Sequence, residues 1–390
     1  MATLRKIALL VETSRGYGRG LLRGIVRYAS VHGPWSFYIT PGDFKQMLPT
    51  MRAWGGTGII ARIETAAVAR RILAAGLPVV ALDLSEEQLA PGSPLSRFCE
   101  IHPDPAAAVD LAIEHLRGCG FTRFAFVGVP GRVWSRNRER AFAARLKRER
   151  IAVHIYESPR SARGREWAQE QETLAAWLKT LPRPIGLMAC NDDRGRQVLE
   201  ACLSAGLQVP EEIGVVGMDN DELLCEMCTP PLSSVALNTE RGGYAAAALL
   251  DRLMAGTATG PTEIAVEPLW VVARASTDVL AIEDRRVAAA LRFIRDHGTE
   301  PIRVRDILAE VPVSRRALEL RFRAVAGCSI NTAIQQAHFQ RARQLLVQTD
   351  YSLKRVAEMS GFGSQSYMAQ MFRRKAGMTP LKYRREHRTR

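Results

Sequence analysis

Residues 302–323 read IRVRDILAEVPVSRRALELRFR, residues 352–375 read SLKRVAEMSGFGSQSYMAQMFRRK, and the second stretch repeats the pattern of the first about 50 residues on. In the first, Val304, Ile307, Leu308 and Val311 recur at helical spacing. Pro312, Val313 and Ser314 interrupt it. Ser314 is placed to cap a following helix, since its hydroxyl can accept from an orphan backbone N–H. Leu318 and Phe322 then follow at four-residue steps as a buried stripe, leaving Arg315, Arg316, Glu319 and Arg323 outward. This predicts a helix, a tight turn and a capped helix with a basic outer face. In the second stretch Leu353, Val356 and Ala357 repeat the first helix. Gly361-Phe362 makes the turn, where glycine takes a positive φ cheaply. Ser364, Met368 and Phe372 reproduce the steps of Ser314, Leu318 and Phe322, and Gln365, Ser366, Ala369, Gln370 and Arg373 face out.

Between the two units, residues 329–349 (SINTAIQQAHFQRARQLLVQT) carry an apolar stripe of Ile334, Ala337, Ala342, Leu345 and Leu346. A helix of about 17 residues spans roughly 25 Å. A stiff spacer of that size can hold two reading helices near one turn of DNA apart, about 34 Å. His338 on this stripe is read as a packed or surface residue rather than a ligand. Charge agrees with the pattern. Residues 285–390 hold 22 Lys and Arg against 8 Asp and Glu, which is the whole net +14 of the 390-residue chain. A basic folded segment joined to a neutral body seeks a polyanion.

The tail resembles the AraC/XylS family of transcription regulators over residues 285–387. The resemblance rests on GFGSQSYMAQMFRRKAGMTPLKYRR, with Gly361-Phe362, Tyr367, Phe372, Gly377, Thr379-Pro380 and Tyr383-Arg384 at signature positions. It implies two helix-turn-helix motifs on double-stranded DNA, with Ser314, Arg315, Arg316 and Glu319 on the first reading helix. Ser364, Gln365, Ser366 and Gln370 fall on the second, with Arg373 and Arg374 beside them. Arg can pair bidentately with guanine and Gln with adenine. Arg373, Arg374, Arg384 and their basic neighbours suit phosphates, which add affinity without sequence information. Pro312, where the family has a turn glycine, and Leu308, where it has a small residue, put the geometry of the first turn in question.

The body alternates apolar runs with helical segments: LRKIALLVE, GTGIIARI, GLPVVALDL, RFAFVGV, IGLMACND and EIGVVGMDN are the runs. Such alternation predicts parallel sheets covered by helices, with ligands at the carboxyl ends of the strands. Ser14, Arg15, Tyr17, Arg19, Asp83, Asn191, Asp192, Asp219 and Asn220 cluster at those ends. Each is open to a structural reading as well, and Asp104 and Asp192 are natural helix caps. The loop SRGYGRG lacks the Lys-Ser/Thr of a P-loop and the spacing of a dinucleotide fingerprint. The helix RGGYAAAALLDRLMAG, with Ala246, Leu249, Leu250 and Leu253 on one stripe, is core or dimer surface, core being the safer reading.

This body resembles the type I periplasmic-binding-protein fold of the LacI/GalR regulators over roughly residues 5–275. The resemblance rests on VDLAIEHLRGCGFTRFAFVG, RNRERAF, ACNDDRGRQVLEACLSAGLQVPEEIGVVGMDND and PPLSSV. It implies an α/β two-lobed sensor with Arg138, Asn191, Asp192 and Asp219 at a ligand, joined by Ser14, Arg15, Tyr17 and Asp83. Trp134 could stack on a sugar face or fill core. The sequence opens on the first sensor strand, where those regulators carry a DNA-binding headpiece. The expected organisation is a LacI/GalR-like sugar sensor over 1–278, a linker over 279–286 and an AraC-type DNA-binding domain with two helix-turn-helix motifs over 287–390.

Together the two resemblances imply a ligand-responsive transcription regulator of carbohydrate catabolism, and the likeness of the tail to AraC-type readers implies an activator. The first expected effector is D-xylose, the alternatives being another pentose, a hexose or a sugar acid. The expected partners are double-stranded DNA, the sugar, RNA polymerase and a second copy of the chain. No cofactor and no metal are expected. Cys225 and Cys228 form a lone CxxC without a second pair at metal spacing. Seven scattered cysteines, no signal segment and no long apolar run point to a cytoplasmic protein with free thiols. An enzyme built on Asp83, Asp192 and Asp219 is a remote alternative, because no nucleophile elbow or HExxH accompanies them.

Overall fold

A computed structural model describes residues 4–39, 48–157, 167–278 and 284–387. The first lobe begins with β1 (Arg5–Leu10), α1 (Gly16–His32), β2 (Trp35–Ile39), α2 (Met51–Trp54) and β3 (Gly58–Arg62). It continues through α3 (Ala66–Ala75), β4 (Val79–Leu82), α4 (Glu86–Leu89) and β5 (Cys99–Pro103). The second lobe holds α5 (Pro105–Gly118), β6 (Phe124–Val127), α6 (Val133–Arg148), β7 (Val153–Tyr156) and α7 (Trp167–Thr180). Its second half is β8 (Ile185–Ala189), α8 (Asp192–Ala205), β9 (Ile213–Asp219), α9 (Glu222–Glu226) and β10 (Ser233–Leu237). The chain then returns to the first lobe for α10 (Thr239–Met254) and β11 (Glu263–Val266), and crosses again for β12 (Pro268–Val272).

The strand orders are β11-β5-β4-β3-β1-β2 and β12-β10-β9-β8-β6-β7. Every pairing is parallel except β10 with β12. The expected runs form β1, β3, β4, β6, β8 and β9. Their interiors are apolar because helices cover both sheet faces; the polar residues stand at strand ends, Arg5 and Lys6 opening β1, Arg62 closing β3 and Asp219 closing β9. Ala246, Leu249 and Leu250 of α10 are buried, which places that stripe in the core.

Three crossings join the lobes, at Asp104, Asn238 and Glu267. They lie side by side: Asp104 N donates to Val266 O at 3.1 Å and Asn238 N to Glu267 O at 2.9 Å. Asp104 also caps α5, its Oδ1 accepting from Ala106 N and Ala107 N at 3.0 Å. Asp192 does not cap α8. Asn191, the extended residue just before the helix, accepts from Arg194 N at 3.0 Å and takes that place.

The remaining helices form the tail: α11 (Arg285–Asp296), α12 (Val304–Glu310), α13 (Arg315–Ala326), α14 (Ile330–Gln348), α15 (Leu353–Met359), α16 (Gln365–Ala376) and α17 (Pro380–His387). Ser314 and Ser364 cap α13 and α16, accepting from Ala317 N at 3.3 Å and Tyr367 N at 3.1 Å. Two separate cores follow. Ile307, Leu318 and Phe322 pack with Ile330 and Ile334; Val356, Met368 and Phe372 pack with Phe339, Ala342, Leu345 and Leu346. One helix, α14, serves both. It runs 19 residues, two more than the sequence reading, or about 28 Å. His338 sits buried at its middle. The tail is thus all α, with two helix-turn-helix units behind a two-lobed α/β sensor. Of the expected linker, residues 279–283 lie outside the described residues, and Asp284 caps α11.

Candidate functional site

The cleft between the lobes is lined by Val11, Glu12, Arg15, Tyr17, Gly18, Arg62, Asp83, Pro103, Trp134, Arg138, Asn191 and Asp219, around about 420 Å³ of space that includes the part open to solvent. Strand ends position them. β3 delivers Arg62, the residue after β4 is Asp83, the residue two after β8 is Asn191, and β9 ends on Asp219. Each lobe supplies an Arg–carboxylate pair: Arg62 Nη1 to Asp83 Oδ2 at 2.7 Å, and Arg138 Nη2 to Asp219 Oδ1 at 3.0 Å. The guanidiniums also stand over rings, Arg62 5.9 Å from the centre of Tyr17 and Arg138 5.5 Å from that of Trp134. Asp83 (φ 49°) and Asp219 (φ 98°) hold left-handed backbone, rare for non-glycine residues and concentrated at binding sites.

Burial sets the electrostatics. It pushes the Asp219 carboxyl above the usual range, against the opposing pull of Arg138. Burial, then the charge of Asp83, raises the Tyr17 phenol. The Tyr17 hydroxyl, Arg62 Nε and Arg138 Nε are buried and find no hydrogen-bond partner among the described residues. A buried donor left unmade costs about 1–3 kcal/mol, so a ligand that satisfies these groups is strongly rewarded.

Of the residues expected at a ligand, Arg15, Tyr17, Asp83, Trp134, Arg138, Asn191 and Asp219 face this one cleft. Ser14 is exposed and not among the lining residues, because the chain turns outward before α1. Asp192 lies beneath the cleft. Its carboxylate accepts from the Ser234 hydroxyl at 2.5 Å and Asp221 N at 2.7 Å, so it braces β9 and β10 instead. Glu12 and Arg62 escape the sequence reading. Arg62 has a legible signal, a lone cation closing the apolar run GIIAR.

The cleft mouth is bridged from lobe to lobe. Arg15 Nε meets Asp193 Oδ2 at 2.6 Å, and Arg132 meets Glu64 at 2.6 Å. Asp221 Oδ2 accepts from Gly16 N and from Arg19 Nη2, each at 2.7 Å. Arg140 pairs with Glu86. The exposed pairs among these, Arg132–Glu64 and Arg140–Glu86, contribute about 0–1 kcal/mol each.

On the tail, Ser314, Arg315, Arg316, Ser364, Gln365, Ser366, Gln370, Arg373 and Arg374 are exposed, while Glu319 is half-buried beside Arg323. Arg374 is engaged, donating to Gln335 Oε1 on α14 at 3.0 Å, and Gln335 Nε2 donates to the Tyr367 hydroxyl at 3.0 Å. These bonds fix α16 on the spacer. Arg384 donates to Leu346 O at 3.3 Å and Tyr351 O at 2.5 Å, a structural use of a residue expected at phosphate.

Known proteins match both parts. Residues 6–93 match the XylR N-terminal domain, residues 113–277 a periplasmic binding protein-like domain and residues 307–386 a helix-turn-helix domain. The chain is 33% identical to the xylose operon regulatory protein of Escherichia coli K12 over 97% of its own length and 96% of that protein's. The same identity and share of this chain relate it to the Haemophilus influenzae xylose operon regulatory protein, 98% of which is covered. A solved structure of a xylose-binding transcription activator, XylR, superposes with a TM-score of 0.62 at 31% identity, covering all of both chains. These relatives are regulators, not enzymes. No helix among the described residues is long and apolar enough to cross a membrane. The chain belongs to the xylose operon regulatory protein family, DNA-binding transcription regulators in which a two-lobed sugar-binding sensor precedes a helix-turn-helix domain.

Proposed function

We propose that this chain activates carbohydrate catabolism genes in response to D-xylose, bound in the cleft by Arg15, Tyr17, Arg62, Asp83, Trp134, Arg138, Asn191 and Asp219. The observation that carries the ligand class is the balance of the lining: Glu12, Asp83 and Asp219 face Arg15, Arg62 and Arg138. Three carboxylates and three guanidiniums leave no net charge to attract an acid. Paired carboxylates and Arg forks suit the neighbouring hydroxyls of an uncharged sugar, each exchanging two hydrogen bonds. This disfavours sugar acids among the alternatives.

The sensor is taken as 1–278, supported by the buried Ser276 and Thr277, and the DNA-binding domain, expected over 287–390, is taken to begin with α11 at Arg285, two residues inside the expected linker. Sugar contacts from both lobes are complete only when the lobes close, so sugar favours the closed state. Arg315, Arg316 and Glu319 then read one major groove and Gln365, Ser366 and Gln370 the next, flanked by Ser314, Ser364, Arg373 and Arg374. The chain works in the cytoplasm as a homodimer on repeated half-sites and contacts RNA polymerase beside the promoter.

Thermal melts with D-xylose, L-arabinose, D-ribose, D-glucose and D-xylonate test the ligand. A ligand that binds only the folded state raises the Tm. D-Xylose is expected to give the largest rise and D-xylonate none. A larger rise with D-xylonate, or none with D-xylose, refutes this reading of the cleft.

A further inference from the structure

The last described turn of the chain is seated on the hinge of the sensor. His387 Nε2 lies 3.0 Å from Glu267 Oε2, and Asn238 Nδ2 donates to His387 O at 3.3 Å. Glu267 and Asn238 are two of the three residues at which the chain crosses between lobes. Nearby, Val347 of α14 packs against Ala236, Leu269 and Trp270, on the strands that flank those crossings.

The ring of His387 is held on every side. It stacks on Tyr383 with centroids 3.9 Å apart and planes 11° from parallel, and its Nδ1 lies 2.9 Å from Tyr383 O. Both ring nitrogens therefore face oxygens, Glu267 Oε2 on one side and Tyr383 O on the other. The bond from His387 holds the Glu267 carboxyl below its usual range. Tyr383 is tied in turn to the spacer helix, its hydroxyl accepting from Arg343 Nε at 2.8 Å. A continuous set of contacts runs from the crossings through α17 to α14 and the second helix-turn-helix unit.

We propose that α17 senses lobe closure: His387 is clamped across two of the three hinge crossings, and the clamp forms when the cleft is shut and loosens when it opens. The lobes rotate about these crossings, so closure sets the spacing of the Glu267 carboxylate and the Asn238 amide that His387 needs. In this structure the bridged cleft and the formed clamp occur together. The second unit thereby takes its seat from the sensor, while the first follows through α14. The identity of the trigger rests on the sugar reading above; the clamp itself does not.

Hydrogen exchange on the full chain tests it. Asp193→Asn/Asp221→Asn, which removes bridges at the cleft mouth far from α17 in sequence, should speed exchange over residues 378–387 about tenfold, the ratio produced by about 1.4 kcal/mol. His387→Ala should do the same. Glu267→Gln is the control against a damaged helix: it lies in the sensor and is half exposed, and it should also speed exchange over 378–387. D-Xylose should slow that exchange in the wild type and not in His387→Ala. Exchange over 378–387 that is unchanged in Asp193→Asn/Asp221→Asn, or in Glu267→Gln, overturns the clamp. D-Xylose that leaves residues 14–19 unchanged refutes the effector alone, and the variants still decide the clamp.

Discussion

The two helix-turn-helix units share a plan and differ in how they are held. Both are led by a serine cap, and both bury a phenylalanine completely, Phe322 in one and Phe372 in the other. The first turns through extended backbone at Val311 (φ −111°, ψ 100°), and the second through Gly361 at φ 76°. The first is tied by exposed ion pairs, Arg321–Asp284 and Arg295–Asp278. The second is seated on the hinge through His387 and Val347. Their outer faces differ as well, arginine in one and glutamine with serine in the other. The contrast teaches that apolar spacing builds the unit, while turn chemistry and docking give each copy its own job.

The largest effects should come from the cores. Phe322→Ala and Phe372→Ala should each cost about 3–5 kcal/mol. Because the two cores bury separate sets of side chains on α14, each variant should lose exchange protection mainly in its own unit, read by hydrogen exchange. Equal loss in both units would mean that the tail is one cooperative core, and the comparison would fail.

Next comes the turn. Gly361→Ala puts a side chain at positive φ and a Cβ 2.4 Å from His338 Nε2 and 2.5 Å from Glu300 O. Left-handed strain and overpacking together should cost about 2–5 kcal/mol. Pro312→Gly in the first unit should stay within about 1 kcal/mol, since no positive φ is needed there. Denaturant melts of the two variants check the asymmetry.

The reading faces should separate by salt. Arg315→Ala and Arg316→Ala should weaken DNA binding by about 1–3 kcal/mol each if they pair with guanine, and lower the salt slope by about 1 each if they meet phosphate. Gln365→Ala and Gln370→Ala carry no charge and should leave the slope alone while relaxing base preference. Titrations of labelled DNA between low and physiological salt distinguish these outcomes.

The smallest effect is a pH dependence where the units meet. Burial lowers the pKa of His338 below the usual 6.5, against a raising backbone contact with Glu300. A His depressed in the folded state contributes stability above its unfolded pKa and loses it as pH falls through the folded value. The tail should therefore melt earlier at pH 5 than at pH 7.5. His338→Gln, which cannot charge, should flatten that fall.

Much of this was legible in the sequence where local chemistry decides. Ser314 and Ser364 announce their helices, and four-residue steps announce Leu318, Phe322, Met368 and Phe372. The apolar runs announce the strands, and the polar residues after them, Asp83 and Asp219 among them, fall at the cleft because parallel strands end there. Arg62 was legible as the lone cation closing the run GIIAR, and the sequence reading passed over it because it sought polar residues after the strands rather than in them. Asp192 was misread because its neighbour Asn191 holds the extended conformation that a cap requires, leaving Asp192 to brace Ser234. The return of β11 to the first lobe, and the meeting of Glu267 with His387, join residues more than a hundred positions apart. No periodicity reports such a contact.

The central claim is that one chain reads DNA through two units in series, and hydroxyl-radical footprinting tests it most directly. On a fragment enriched by binding from random DNA, each DNA-binding domain should protect two tracts about 10 base pairs apart. Arg315→Ala/Arg316→Ala should erase one tract and Gln365→Ala/Gln370→Ala weaken the other. A single protected tract, or both tracts lost together in either variant, would contradict the account.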